Sequence, residues 1–337
     1  MPTWYVNARH ASSCPRQRPT LTPTSSPRLQ VGQMPWLDAW FLNKNPVKLL
    51  LSRLGIWGKA SPLALFGQAR MAERKHEPAD AKEGRGDTKR TGGVDFLTRF
   101  YQAQRAHPDF MTDRQILAAS ISLITAGSDT TAASLSAIFY FLLRSPPALR
   151  ALLDELAAAA ASGVLRPAAQ GPVSWAEAQR LPYLDACIQE SLRLHPAIGM
   201  LLERHVPPAG ATIAGCRVPG GTIVGCNPWV LHRRTDLFGQ DVEAFRPERW
   251  LEAGPEQLKA MKGAMLQFGA GPRTCIGKNI SLLEMYKLVP TLLRRFEIAL
   301  VDPEREWTLI NCWFVRQENF QVQFKAREET ATKLVNE

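Results

Sequence analysis

One cysteine in this sequence stands where a cysteine can do metal chemistry. Cys275 belongs to the run Phe268-Gly269-Ala270-Gly271-Pro272-Arg273-Thr274-Cys275-Ile276-Gly277, directly before residues 279–296, whose pattern predicts a helix. A thiolate at a helix N-terminus is favoured by the helix dipole and by the free N–H groups of the first turn. Gly269 and Gly271, at alternate positions, let the backbone approach a flat ligand closely. Arg273 offers that ligand a forked cation for a carboxylate. Cys275 is therefore an anionic metal ligand in waiting. Taken alone, the segment also reads as a glycine-rich loop around a buried cysteine.

Two further constellations accompany it. Ala126-Gly127-Ser128-Asp129-Thr130-Thr131 is poor helix-forming sequence at the centre of a helix predicted from Thr112 to Leu143, and such local disagreement often marks a functional site. Glu190 and Arg193 lie one turn apart on a helix predicted over 182–194. Alone, that pair would be a surface ion pair worth under about 1 kcal/mol, and Asp129 and Thr130 a solvent-facing break.

Taken together, these residues resemble the cytochrome P-450 family. The Cys275 segment matches the family's Phe-Gly-x-Gly-x-Arg-x-Cys-x-Gly pattern at every fixed position, and residues 126–131 resemble its oxygen-activation segment. Glu190-Ser191-Leu192-Arg193 resembles its Glu-x-x-Arg helix, and Phe245-Arg246-Pro247-Glu248-Arg249-Trp250 the segment whose arginine completes that ion-pair network. The signatures occur in the family's order.

The resemblance implies a mainly α fold with a small β component, of which this chain holds the C-terminal two-thirds. It implies heme b, its iron ligated axially by Cys275 and seated by Phe268, Gly269, Gly271, Arg273 and Gly277, with Arg204 as a second propionate partner. Asp129 and Thr130 become the groups that handle protons during oxygen activation, while Glu190, Arg193 and Arg249 become a buried structural network. The implied reaction inserts one oxygen atom of O2 into a lipophilic small molecule, with electrons from NADPH through NADPH–cytochrome P-450 reductase. Residues 122–126, 197–201 and the region near Trp313 correspond to substrate-contact segments. The family places such a protein, as a monomer, on the cytoplasmic face of the endoplasmic reticulum membrane. Met34-Pro35-Trp36-Leu37-Asp38 is similar to fungal microsomal members of the pisatin-demethylase-like group.

The resemblance begins in the family's middle helices, so residues 31–337 are expected to form a partial domain without the anchor, first sheet and early helices. A noncatalytic haem-binding remnant is the competing reading. An oxygen-independent haem isomerase is disfavoured because both Asp129 and Thr130 are present.

The elements that must position these residues are mostly helices, since Leu and Ala abound and strand formers are sparse. Thr112 with Gln115, and Ser174 with Glu177, read as capping boxes. Pro146 and Pro147 close the long helix, which at about 32 residues would be a rod of roughly 48 Å. Helices are also expected over 94–106 and 147–161, short strands over 212–214, 217–218 and 222–224, and a charged flexible loop over 70–93.

Composition sets the remaining bounds. The net charge of +10 comes from scattered Lys and Arg without a nucleic-acid-binding motif, so nucleic acid is not expected, whereas an acidic partner or an anionic membrane fits. Cys14, Cys187, Cys216, Cys226, Cys275 and Cys312 show no CxxC spacing and are expected as thiols. The apolar run 116–143 is broken at Gly127, Ser128 and Asp129, so no transmembrane anchor is expected. Residues 1–30 carry arginines, many Ser, Thr and Pro and no acid, and read as a disordered leader.

Overall fold

Apolar residues spaced three and four apart become buried helical stripes in the computed structural model, which describes residues 5–6, 62–76, 95–311 and 313–327. The fold is mainly α with a small β component. By packing, the chain divides into residues 33–129 and residues 130–337 together with 1–32.

In the first unit lie α1 (Pro62–His76), α2 (Phe96–Ala106) and the start of α3 (Asp113–Arg144). Asp95 caps α2 by accepting from the Thr98 amide at 2.8 Å, and Arg74 of α1 reaches the same carboxylate at 2.5 Å. Gly67 lies so near α3 that a Cβ there would sit 2.9 Å from Leu117. The loop expected over 70–93 is thus corrected at its start: residues 70–76 finish α1, where Met71 is buried. At the head of α3, Gln115 Oε1 accepts from the Thr112 amide at 3.0 Å and also from the Thr112 hydroxyl, so only the reach-back half of the capping box forms.

The second unit holds the rest of α3, then α4 (Pro146–Ala161), α5 (Pro182–Leu194), α6 (Pro255–Ala264) and α7 (Lys278–Arg295). Its core is built from stripes: Ile138 and Leu142 of α3, Leu152 and Leu156 of α4, Leu184, Ile188 and Leu192 of α5, and Met285, Val289 and Leu293 of α7. Burying each such side chain contributes about 1.5–3 kcal/mol. By length and composition α3 is long and apolar enough to cross a membrane, despite its polar centre. Its later half nevertheless buries Thr131, Ser134, Ala137, Ile138 and Leu142 within the protein.

Strands are small and peripheral. Antiparallel pairing gives the order β1 (Tyr5–Val6), β5 (Ile223–Cys226), β2 (Leu202–His205), beside the hairpin of β3 (Ala211–Ile213) and β4 (Cys216–Val218). Near the C-terminus β6 (Phe296–Leu300) pairs with β9 (Val322–Ala326), and β7 (Thr308–Ile310) with β8 (Arg316–Glu318). Of the expected leader, Tyr5–Val6 is a strand and the rest lies outside the described residues. Thr235–Phe238 and Arg249–Glu252 are single helical turns in a stretch otherwise without regular structure.

What fixes that stretch is a buried ion cluster. Glu190, Arg193 and Arg249 are 0%, 0% and 4% exposed. Glu190 Oε1 accepts from Arg193 Nη2 at 2.8 Å, Arg249 Nε at 2.9 Å and the Arg246 amide at 3.1 Å. Its Oε2 accepts from Arg193 Nε and Trp250 Nε1, both at 2.9 Å. Further guanidinium protons go to carbonyls: Arg193 donates to His232 and Val242 at 3.0 and 2.7 Å, and Arg249 donates to Phe238 and Asp241. Arg249 also donates to the Asp241 carboxylate at 2.9 Å, and this bond holds the carboxyl down at about 2.

Two predictions follow from this burial. Removing one partner of a buried pair leaves an uncompensated charge, so Glu190→Gln should lose about 3–5 kcal/mol of stability in urea unfolding. A loss below about 1 kcal/mol, typical of an exposed pair, would contradict the burial. Burial also pushes the His195 ring down to about 4. Below the unfolded value near 6.5 the unfolded chain gains a proton that the folded ring refuses. Stability therefore falls as pH drops from about 6.5 toward 4, by up to about 1.4 kcal/mol per unit from this ring. Unfolding midpoints for wild type and His195→Gln between pH 7 and 4 check this, the variant showing the shallower slope.

Candidate active site

The segment around Cys275 is shaped by backbone bonds and two left-handed glycines. Gly269 and Gly271 have φ of +69° and +66°, a region costly for residues with a Cβ. The Gly269 amide donates to the Leu266 carbonyl and the Cys275 amide to the Phe268 carbonyl, each at 2.8 Å. The Thr274 amide and hydroxyl both donate to the Gly271 carbonyl, at 3.0 and 2.8 Å. The loop thus folds back on itself and presents Cys275 just before α7. Phe268 anchors it by packing against the helical core, with Lys278 Nζ 6.0 Å from its ring centroid.

Cys275 is exposed. A Cβ on Gly277 would lie 3.9 Å from its Sγ, so glycine leaves the sulfur's flank bare. The apolar side chains that follow are uncovered too: Ile276 is 93% exposed, Ile280 46% and Leu283 39%. Arg273 is exposed at the end of a one-turn helix, Gly271–Arg273, and makes no ion pair among the described residues. Among the described residues no cluster of three or more His, Cys, Asp or Glu occurs, so the loop offers a metal one sulfur rather than a cage.

The polar centre of α3 reaches α7 through a hydroxyl pair. Thr131 Oγ1 lies 3.1 Å from Ser281 Oγ, six positions after Cys275. Thr130 is half-buried, and its carbonyl accepts from Ser134 Oγ at 2.9 Å. Asp129 is exposed and belongs to the other unit. A Cβ on Gly127 would meet nothing within 4 Å.

Two of the three apolar segments singled out in the sequence are paired. The Val315 amide donates to the Ala197 carbonyl at 2.9 Å and the Gly199 amide to the Trp313 carbonyl at 3.2 Å, with Ile198 and Phe314 forming a β-bridge. A Cβ at Gly199 would fall 2.1 Å from Asn311 Oδ1 and 2.8 Å from Val315 Cγ2, so any larger residue there would have to displace both side chains. Arg204, on β2, is exposed and donates to the carbonyl of its neighbour Glu203 at 2.7 Å; no hydrogen bond joins it to the Cys275 loop.

The cluster around Glu190 brings together the three network residues named from sequence and adds Asp241 and Trp250. Trp250 follows Arg249 and was within reach of a sequence reading. Asp241 was not, because an acid in an irregular stretch carries no periodic signal.

A family model described as Cytochrome P-450 matches residues 64–324. The chain is 47% identical over 295 residues to cytochrome P-450 monooxygenase cicH of Emericella nidulans, covering 88% of this chain and 56% of that protein. It is 45% identical over 271 residues to a cytochrome P-450 monooxygenase of Aspergillus terreus, covering 80% and 52%. Against cytochrome P-450 monooxygenase AFLA_114810 of Aspergillus flavus, identity is 37% over 305 residues, covering 90% and 57%. The chain spans about half the length of the curated relatives it matches. By the extent of the family match and the motifs that lie within it, the chain belongs to the cytochrome P-450 family.

Proposed function

We propose that residues 31–337 carry the haem-thiolate centre of a monooxygenase that inserts one oxygen atom of O2 into a lipophilic small molecule. The observation that carries this reading is an exposed sulfur on a glycine-shaped loop at the head of an 18-residue helix, bordered by uncovered apolar side chains. Those residues fit a haem. Cys275 would be its axial ligand, Gly269, Gly271 and Gly277 would admit the flat ring, and Phe268 would hold the loop. Arg273, exposed and without an ion pair among the described residues, is assigned to one propionate, and Arg204 to the other.

When bound, the haem supplies the iron centre for oxygen activation. The protein supplies the surroundings. Thr130 and Asp129 provide a hydroxyl and an exposed carboxylate through which protons reach the site from water, and Thr131 fixes that part of α3 on Ser281. The paired segments 197–199 and 313–315 provide an apolar wall for substrate, in which Trp313 is 55% exposed. Electrons come from NADPH through NADPH–cytochrome P-450 reductase, for which the basic chain is a suitable partner. The relatives are fungal, and we place the protein in secondary metabolism, as a monomer on the cytoplasmic face of the endoplasmic reticulum membrane.

A second reading, a haem-binding polypeptide without turnover, is favoured by the uncovered apolar side chains Phe110 and Phe96, at 76% and 57% exposure. Turnover of O2 and NADPH with a fungal reductase separates the two.

Haem titration followed by Trp fluorescence tests the ligand. Wild type should bind one equivalent, and Cys275→Ala should weaken binding by about tenfold or more, the loss of one metal bond exceeding that of outer contacts. Equal affinities would remove Cys275 from the site.

A further inference from the structure

His232 is 0% exposed and bonded through every polar group it has. Its amide donates to the Pro228 carbonyl at 2.9 Å, and its carbonyl accepts from Arg193 Nη1 at 3.0 Å. Its ring Nδ1 lies 3.0 Å from the Arg193 carbonyl, and Nε2 lies 2.8 Å from the Leu266 amide. A carbonyl only accepts and an amide N–H only donates. The ring must therefore carry its proton on Nδ1 and present a lone pair at Nε2. Burial keeps the ring neutral by pushing it down to about 3.

The two partners of this ring belong to different parts of the molecule. Arg193 is half of the buried ion pair, whereas Leu266 opens the loop that ends at Cys275. From Leu266 the bonds run on without interruption: its carbonyl accepts the Gly269 amide, and the Phe268 carbonyl accepts the Cys275 amide. At its other end the loop is held by α7, where the Ser281 amide donates to the Gly277 carbonyl at 3.0 Å.

We propose that His232 is a positioning residue that ties the incoming end of the Cys275 loop to the Glu190–Arg193 scaffold, so that the sulfur is held from both sides. The role toward the sulfur rests on the haem-thiolate reading; the tie itself does not. Without the ring bond the incoming end of the loop would be held by the Phe268 anchor alone, and the turn at 266–269 that leads to the sulfur would loosen.

Two substitutions separate the tie from mere filling of space. In His232→Gln an acceptor oxygen reaches the place of Nε2, whereas in His232→Asn a donor remains near the Arg193 carbonyl but nothing reaches Leu266. Amide hydrogen exchange of the full haem-free chain, read by mass spectrometry, should speed up about five- to tenfold over 266–275 in the Asn chain. Residues 182–194 should keep their rate, and the Gln chain should match wild type in both regions. After haem loading, the Asn chain should show a smaller share of the thiolate-type reduced carbon monoxide band than the Gln chain.

Equal exchange in the Asn and Gln chains, or a uniform rise that includes 182–194, overturns the tie. If wild type lacks the thiolate-type band while the exchange pattern holds, the haem reading fails and the tie stands. Nitrogen-15 spectra of the wild-type ring decide the matter even if the Asn chain does not fold. A proton on Nδ1 alone supports the tie, and a proton on Nε2 overturns it.

Discussion

A single buried carboxylate organises the half of the molecule that holds Cys275. Glu190 has no exposure, and its charge is tolerable because both oxygens are saturated by donors from α5, from the turn at Arg249–Glu252 and from the amide of Arg246. Burying a carboxylate and two guanidinium groups costs several kcal/mol per ion, and only complete hydrogen bonding offsets that cost. The cluster is thus weak evidence for high stability and strong evidence for a specified geometry. Residues 232–252 have little regular structure, so carbonyl bonds to Arg193 and Arg249 do for them what a helix or sheet ladder does elsewhere.

The Cys275 loop is built in the opposite way. It relies on its own backbone, two glycines with positive φ, one aromatic anchor and the His232 ring at Leu266, and it leaves a thiol and several large apolar side chains exposed. Such exposure has no structural benefit in water. It is the arrangement expected where a flat apolar ligand completes the surface and where backbone must come close to it.

Much of this was legible in the sequence because it is local. The helix over 182–194 is bounded by Pro182 at its start and Pro196 beyond its end, and it was read to the residue. The Ser174–Glu177 capping box forms both of its bonds, at 3.3 and 2.7 Å. The cysteine loop was evident from glycine spacing and its place before α7. What escaped is non-local. β6 went unread, with Phe296 taken as the end of the preceding helix, because Phe-Glu-Ile-Ala-Leu suits either state until β9 pairs with it. β2 is defined by β5, about 20 residues along the chain. α6 follows a legible Gly254-Pro255 start but has a weak apolar stripe, with Met261 and Ala264 its buried residues. His232 bonds through its ring to residues 39 positions before and 34 after it, and no sequence pattern announces that.

Membership in the family follows from the extent of the match, and the proposed chemistry turns on one bond between a sulfur and an iron. The most direct measurement is the reduced carbon monoxide absorption spectrum of the purified full-length chain after haem loading. The account predicts a Soret band at the position of thiolate-ligated haem. A band at the position of histidine-ligated haem, or no haem uptake, would contradict it.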